Sequence, residues 1–136
     1  MAAESKQVTL TWQRGLVFTG GAPDGPESTI DGDNAAAPGP MLTLLLAAGA
    51  CSGADVVLIL KKMRVPPRAL RIELSGTRRE QDPRRYTAIH FHYYISGDGL
   101  DEARAERAIA LSVETYCSVI HSLAPDIRVT HALTLG

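Results

Sequence analysis

The chain has 136 residues, 45% of them hydrophobic and 21% charged, which is enough for one domain with a real core and excludes a disordered or fibrous class. A net charge of −1 excludes a strongly basic nucleic-acid binder, and the one locally basic stretch, Arg78 to Arg85, falls around a turn and reads as a solvated loop. Aromatic residues make up only 5%, so the core should be aliphatic.

In chain order, residues 1–6 read as a flexible tail on a single domain spanning 1–136. The opening MAAESKQ lacks the charged-then-apolar pattern of a secretory signal, so a cytoplasmic location is expected. In that reducing compartment two cysteines are more often free or redox-active than a permanent staple. Val8 to Thr19 is rich in β-branched and aromatic residues and predicts a strand or hairpin arm, with Trp12 as a core or interface anchor. Gly20 to Glu27 is a turn, and Ser28 to Asp31 is a short strand pairing back. Asp31 to Pro40 is a flexible connection, with Pro40 suited to the first helical position.

A first helix is expected from Pro40 to about Arg64, ending before Pro66 and Pro67. Its Met41–Leu60 run could span a membrane on length alone. Asp55 and Ser52 inside it, breaks at Gly49 and Gly53, and the lack of an aromatic belt argue instead for a central core helix covered on all sides. Strands follow near Arg68–Arg79 and over Tyr86–Ser96, where Ile89, Phe91, Tyr93 and Ile95 share one face. Asp101 caps a second helix that Pro125 stops, and residues 126–135 alternate as a closing strand. The order predicts an α+β fold with antiparallel strand pairs and both helices on one face of the sheet.

Each helix carries one of the two cysteines, Cys51 and Cys117. A thiol with a second thiol in reserve is the minimal equipment for reducing a peroxide. The neighbours of Cys51, from Ala47 to Ala54, are all small, which lets another backbone approach closely, so that either a second helix packs there or a small substrate does. A break near Gly49 would put Cys51 close to a helix N-terminus, where a thiolate is favoured. The residues leave a second reading open, in which Cys51 is a small buried hydrophobe. Asp55, one turn on, either positions an arginine or is a buried cap or ion-pair partner. Cys117 falls on a stripe with Ala110, Val113 and Ile120, beside Ile109, Tyr116 and Leu123, which suits either a shielded thiol or plain packing. His121, one turn further, could accept its proton or simply end the helix. His90 and His92 point to one face of their strand and would be half of a metal site, with His131 as the nearest third ligand, or else a helix-covered or solvent-facing pair. No metal is expected.

The segment GPMLTLLLAAGACSGADVVLILKKM resembles the first cysteine helix of the OsmC/Ohr family. LDEARAERAIALSVETYCSVIHSLA resembles its second, in which Glu114, Tyr116 and Cys117 fall close together, and the strand and turn HFHYYISGDGL before it fit as well. The resemblance implies an OsmC-like α+β fold in an intertwined homodimer with interface active sites. It implies Cys51 as the peroxidatic cysteine of an organic or lipid hydroperoxide reductase and Cys117 as the resolving one. No resident cofactor is implied. The partners are an organic hydroperoxide and a dithiol reductant, lipoyl or thioredoxin-like, with neither nucleic acid nor membrane. Organic hydroperoxide reductases of this family carry a glutamate after the helix-starting proline, holding an arginine against the reactive sulfur. Here Met41 follows Pro40, and Arg14 is the candidate arginine, which places the chain nearer the OsmC-like branch. Two further readings are a dimeric module that binds a small hydrophobic ligand with both thiols inert, and a thiol-based oxidant sensor without turnover.

Overall fold

A computed structural model describes residues 3–136. The chain packs as two compact units, one ending at Leu44 and the other running from Leu45 to Gly136. Residues 1 and 2 of the expected tail lie outside the described residues.

The first unit is an antiparallel meander of β1 (Thr9–Arg14), β2 (Val17–Gly21) and β3 (Ser28–Asp31). Gly15 makes the first turn with φ +49°, a conformation that suits glycine, and Trp12 Nε1 donates to its carbonyl at 2.9 Å. The connection after β3 is more ordered than expected. The buried carboxylate of Asp31 accepts the N–H groups of Asp33, Ala35 and Ala36 at 2.9, 3.1 and 2.8 Å. The Ala36 and Asp33 donors, more than the charge of Arg14, hold the Asp31 carboxyl below its ordinary range.

Helix α1 (Pro40–Lys62) is continuous. Pro40 starts it, since a first helical residue needs no N–H partner. Arg64, at φ +64°, ends it in a left-handed cap where the Val65 N–H reaches the Leu60 carbonyl, and Pro66 follows.

In the second unit β4 (Ala69–Arg78) and β5 (Tyr86–Ser96) form a long hairpin, and β6 (Arg128–Leu135) lies on the other side of β5. The β4–β5 pair is antiparallel, as expected, but β6 runs parallel to β5. Helix α2 (Glu102–Leu111) supplies the long crossover that a parallel pair requires. Asp101 caps α2 as expected, accepting the Arg104 N–H at 2.8 Å. Ile89, Phe91, Tyr93 and Ile95 are buried on one face of β5, where they form the centre of the core. Both helices lie on that face. Gly49 and Gly53 let α1 approach β4 closely: a Cβ at Gly49 would lie 2.7 Å from Leu74 Cδ1, and one at Gly53 3.3 Å from Ile72 Cδ1. The α+β architecture is the one the sequence predicts.

Two further expectations change. Leu45, Ala48, Ser52, Val56 and Leu60 are buried along α1, but Leu46 and Leu58 on its other side are 58% and 60% exposed, so a single chain does not cover the helix all round. The helix is apolar and long enough to cross a membrane by length and composition, yet its buried stripe packs into the core. The predicted second helix, in turn, is not one helix. After α2 it widens into a π-turn (Ser112–Tyr116), breaks at Cys117 with ψ 106°, and resumes as α3 (Ser118–Ser122).

Candidate active site

The broken helix is what positions Cys117. Its N–H donates to the Ser112 carbonyl at 2.8 Å, five residues back, and its sulfur accepts the Ile120 N–H at 3.4 Å. The residue is fully buried, and the break turns Tyr116 outward to 58% exposure instead of into the expected apolar stripe. Glu114 beside it is exposed as well.

Cys51 lies mid-helix on the half-buried side of α1. The expected bend at Gly49 is absent, so α1 offers its sulfur no helix end. Cys51 and Cys117 are both free thiols, and their side chains are close enough to interact. Burial pushes the Cys117 thiol up to about 11; the proximity of Cys51 adds to the rise, while the Ile120 N–H opposes it. Cys117 is therefore held as a neutral thiol near pH 7.

Beneath the thiols lies a polar chain that sequence reasoning missed. Ser112 Oγ donates to Asp55 Oδ2 at 2.9 Å, Ser52 Oγ lies 2.8 Å from Ser112 Oγ, and the Tyr93 hydroxyl lies 2.6 Å from Ser52 Oγ. Ser52 and Ser112 are fully buried, as is Tyr93. Burial pushes the Tyr93 phenol up to about 12; the Ser52 hydrogen bond pulls the other way, and the charges of Cys117 and Asp55 push it further up. Asp55 is thus neither a cap nor an ion-pair partner among the described residues; it accepts a hydroxyl from the neighbouring element. The only hint in the sequence was the placing of serines and a tyrosine on otherwise apolar faces, where a buried polar group needs a partner.

Arg14 ends β1 in the first unit, near Asp31. His121 is exposed at the end of α3. His90 and His92 share the outer face of the sheet, each 2.7 Å from a threonine hydroxyl, Thr130 and Thr134 respectively. His131 pairs with Phe91, so it faces the opposite side, where it contacts Glu106 at 3.4 Å. The register thus removes it as their third ligand. Among the described residues no three His, Cys, Asp or Glu side chains converge on a metal position. In the basic stretch, Arg78 Nε donates to the Arg84 carbonyl at 2.6 Å and Arg85 pairs with Asp126 at 2.8 Å, both structural uses.

The family model for OsmC-like proteins matches residues 31–132, which include both cysteines. The chain belongs to the OsmC-like family. Protein YhfA of Escherichia coli K12 is 39% identical to it over 127 residues, 93% of this chain and 95% of the relative. A crystal structure of a hypothetical protein from Aquifex aeolicus VF5 superposes with a TM-score of 0.84 at 33% identity, covering 98% of this chain and 99% of that one. The organic hydroperoxide resistance protein OhrB of Bacillus subtilis shares the fold, with a TM-score of 0.64 at 15% identity over 98% of this OsmC-like chain and all of the other.

Proposed function

We propose that this OsmC-like protein is a cytoplasmic two-cysteine peroxidase that reduces organic or lipid hydroperoxides. The observation that carries the reading is the contact between the Cys51 and Cys117 side chains, supplied by different helical segments. The fold shared with an organic hydroperoxide resistance protein supports it.

In the proposed cycle Cys51 attacks as a thiolate. Its sulfur takes the distal oxygen of the peroxide, the O–O bond breaks, and the alkoxide leaves and is protonated to an alcohol. The sulfur, now oxidised, is a sulfenic acid. The Cys117 thiol attacks it, an S–S bond forms, and the Cys117 proton leaves with the hydroxyl as water. An external dithiol, lipoyl or thioredoxin-like, then restores both thiols by exchange. Arg14 is retained as the cation for Cys51 on the family resemblance alone.

The working unit in this reading is an intertwined homodimer. Its support is apolar surface left open on one chain: Trp12 is 62% exposed, Leu10 alternates with it on β1 just after the exposed Val8, and Leu46 and Leu58 line α1. Neither nucleic acid nor membrane takes part.

The test is turnover. With excess cumene hydroperoxide and dihydrolipoamide, the wild-type protein should consume many equivalents of peroxide, and Cys51→Ser should consume none above the uncatalysed rate. Consumption that stops at one equivalent identifies a sensor, and none at all removes the peroxidase reading.

A further inference from the structure

The chain of hydroxyls under the thiols has a defined direction. Each serine or tyrosine hydroxyl carries one hydrogen, and a carboxylate oxygen only accepts. Ser112 spends its hydrogen on Asp55. Toward Ser52 it can therefore only accept, so Ser52 donates to it across 2.8 Å. Ser52 has then spent its own hydrogen, so Tyr93 must donate to Ser52 across 2.6 Å. The three protons all point toward Asp55, and one carboxylate orders a chain that crosses three elements.

Those elements are the ones that carry the cysteines. Ser52 and Asp55 belong to α1, and Ser52 directly follows Cys51. Ser112 opens the π-turn, and its carbonyl accepts the Cys117 N–H at 2.8 Å. Tyr93 belongs to β5, the central strand under both. Ser112 thus joins the Cys117 backbone to the Cys51 helix through its two oxygens. A buried hydrogen bond in a water-poor site resists exchange with solvent, so such a tie fixes geometry more firmly than a surface contact.

We propose that Asp55, Ser112, Ser52 and Tyr93 are positioning residues for disulfide closure, holding the Cys117 turn against the Cys51 helix. None of the four touches the peroxide; they act through Cys117. The proposal rests on the two-cysteine reading, but its test does not need peroxide. Ellman's reagent, an aromatic disulfide, is attacked by the Cys51 thiolate, which forms a mixed disulfide and releases one aromatic thiolate. Cys117 then attacks the Cys51 sulfur, the second aromatic thiolate leaves, the Cys117 proton passes to solvent, and the protein disulfide remains. The first release reports access to Cys51, and the second reports closure.

Wild type should release two thiolates per chain in two phases. Asp55→Asn, Ser112→Ala and Tyr93→Phe should keep the first phase within twofold and slow the second at least tenfold. Asp55→Asn keeps shape and an acceptor oxygen, so it should fold even where the serine variant does not. A loosened fold would speed the first phase or alter both together. Closure at the wild-type rate in Asp55→Asn and Tyr93→Phe would overturn the proposal, as would equal changes in both phases. Release of a single thiolate by wild type would overturn it too, since no closure would exist to be positioned. Normal two-phase behaviour in wild type without peroxide consumption would remove the peroxidase reading and leave this one standing.

Discussion

Two neutral acids dominate the site at the scale of single residues. An ordinary thiol titrates near 9.0, and Cys117 is pushed up to about 11 by burial. Tyr93 is pushed from 10.0 to about 12, also by burial first. In the window between the two values, the unfolded chain sheds a proton that the folded chain keeps. Their contribution to stability is therefore fully present below about pH 9 and is lost as pH rises through the folded values. Thermal unfolding followed from pH 8 to 11 should show a steeper fall for wild type than for Cys117→Ala; equal slopes would contradict the shift. Ser52→Ala leaves the Tyr93 hydroxyl without its acceptor and Ser112 without a donor in a closed core. It should cost about 1–3 kcal/mol in urea unfolding, against a few tenths for a serine of no consequence.

Among the elements, α1 and the broken second helix show where sequence patterns succeed and fail. The bounds of β5 were legible because strict alternation of apolar residues has one structural solution. The small residues around Cys51 were legible as a close-approach surface, but the approaching element is the strand β4 and not the expected second helix. Gly49→Val should therefore destabilise the fold by about 1–3 kcal/mol, because its side chain would drive into Leu74; chemical denaturation measures it. The π-turn was not legible. Apolar spacing runs on through Cys117 without a glycine or proline to mark the break, and the turn is fixed by distant partners, Ser52 and Asp55, that spacing cannot show. The same gap hid the parallel pairing of β6, which depends on the path of the α2 crossover and not on the alternation within β6 itself. At the site, sequence found both sulfur atoms but neither of the serines that tie their elements together.

For the whole molecule, the exposed apolar residues on β1 and α1 call for a partner, and the proposed one is a second copy. Light scattering should give twice the mass of one chain, and Trp12→Glu combined with Leu46→Glu should shift it toward the single-chain value; a wild-type protein at single-chain mass contradicts the dimer. The central claim, that Cys51 and Cys117 act as one redox pair, is tested most directly by intact mass after the reduced protein meets one equivalent of cumene hydroperoxide. The account predicts loss of two hydrogens in wild type, no change in Cys51→Ser, and an added oxygen in Cys117→Ser. An unchanged wild-type mass, or the same loss in Cys51→Ser, would contradict it.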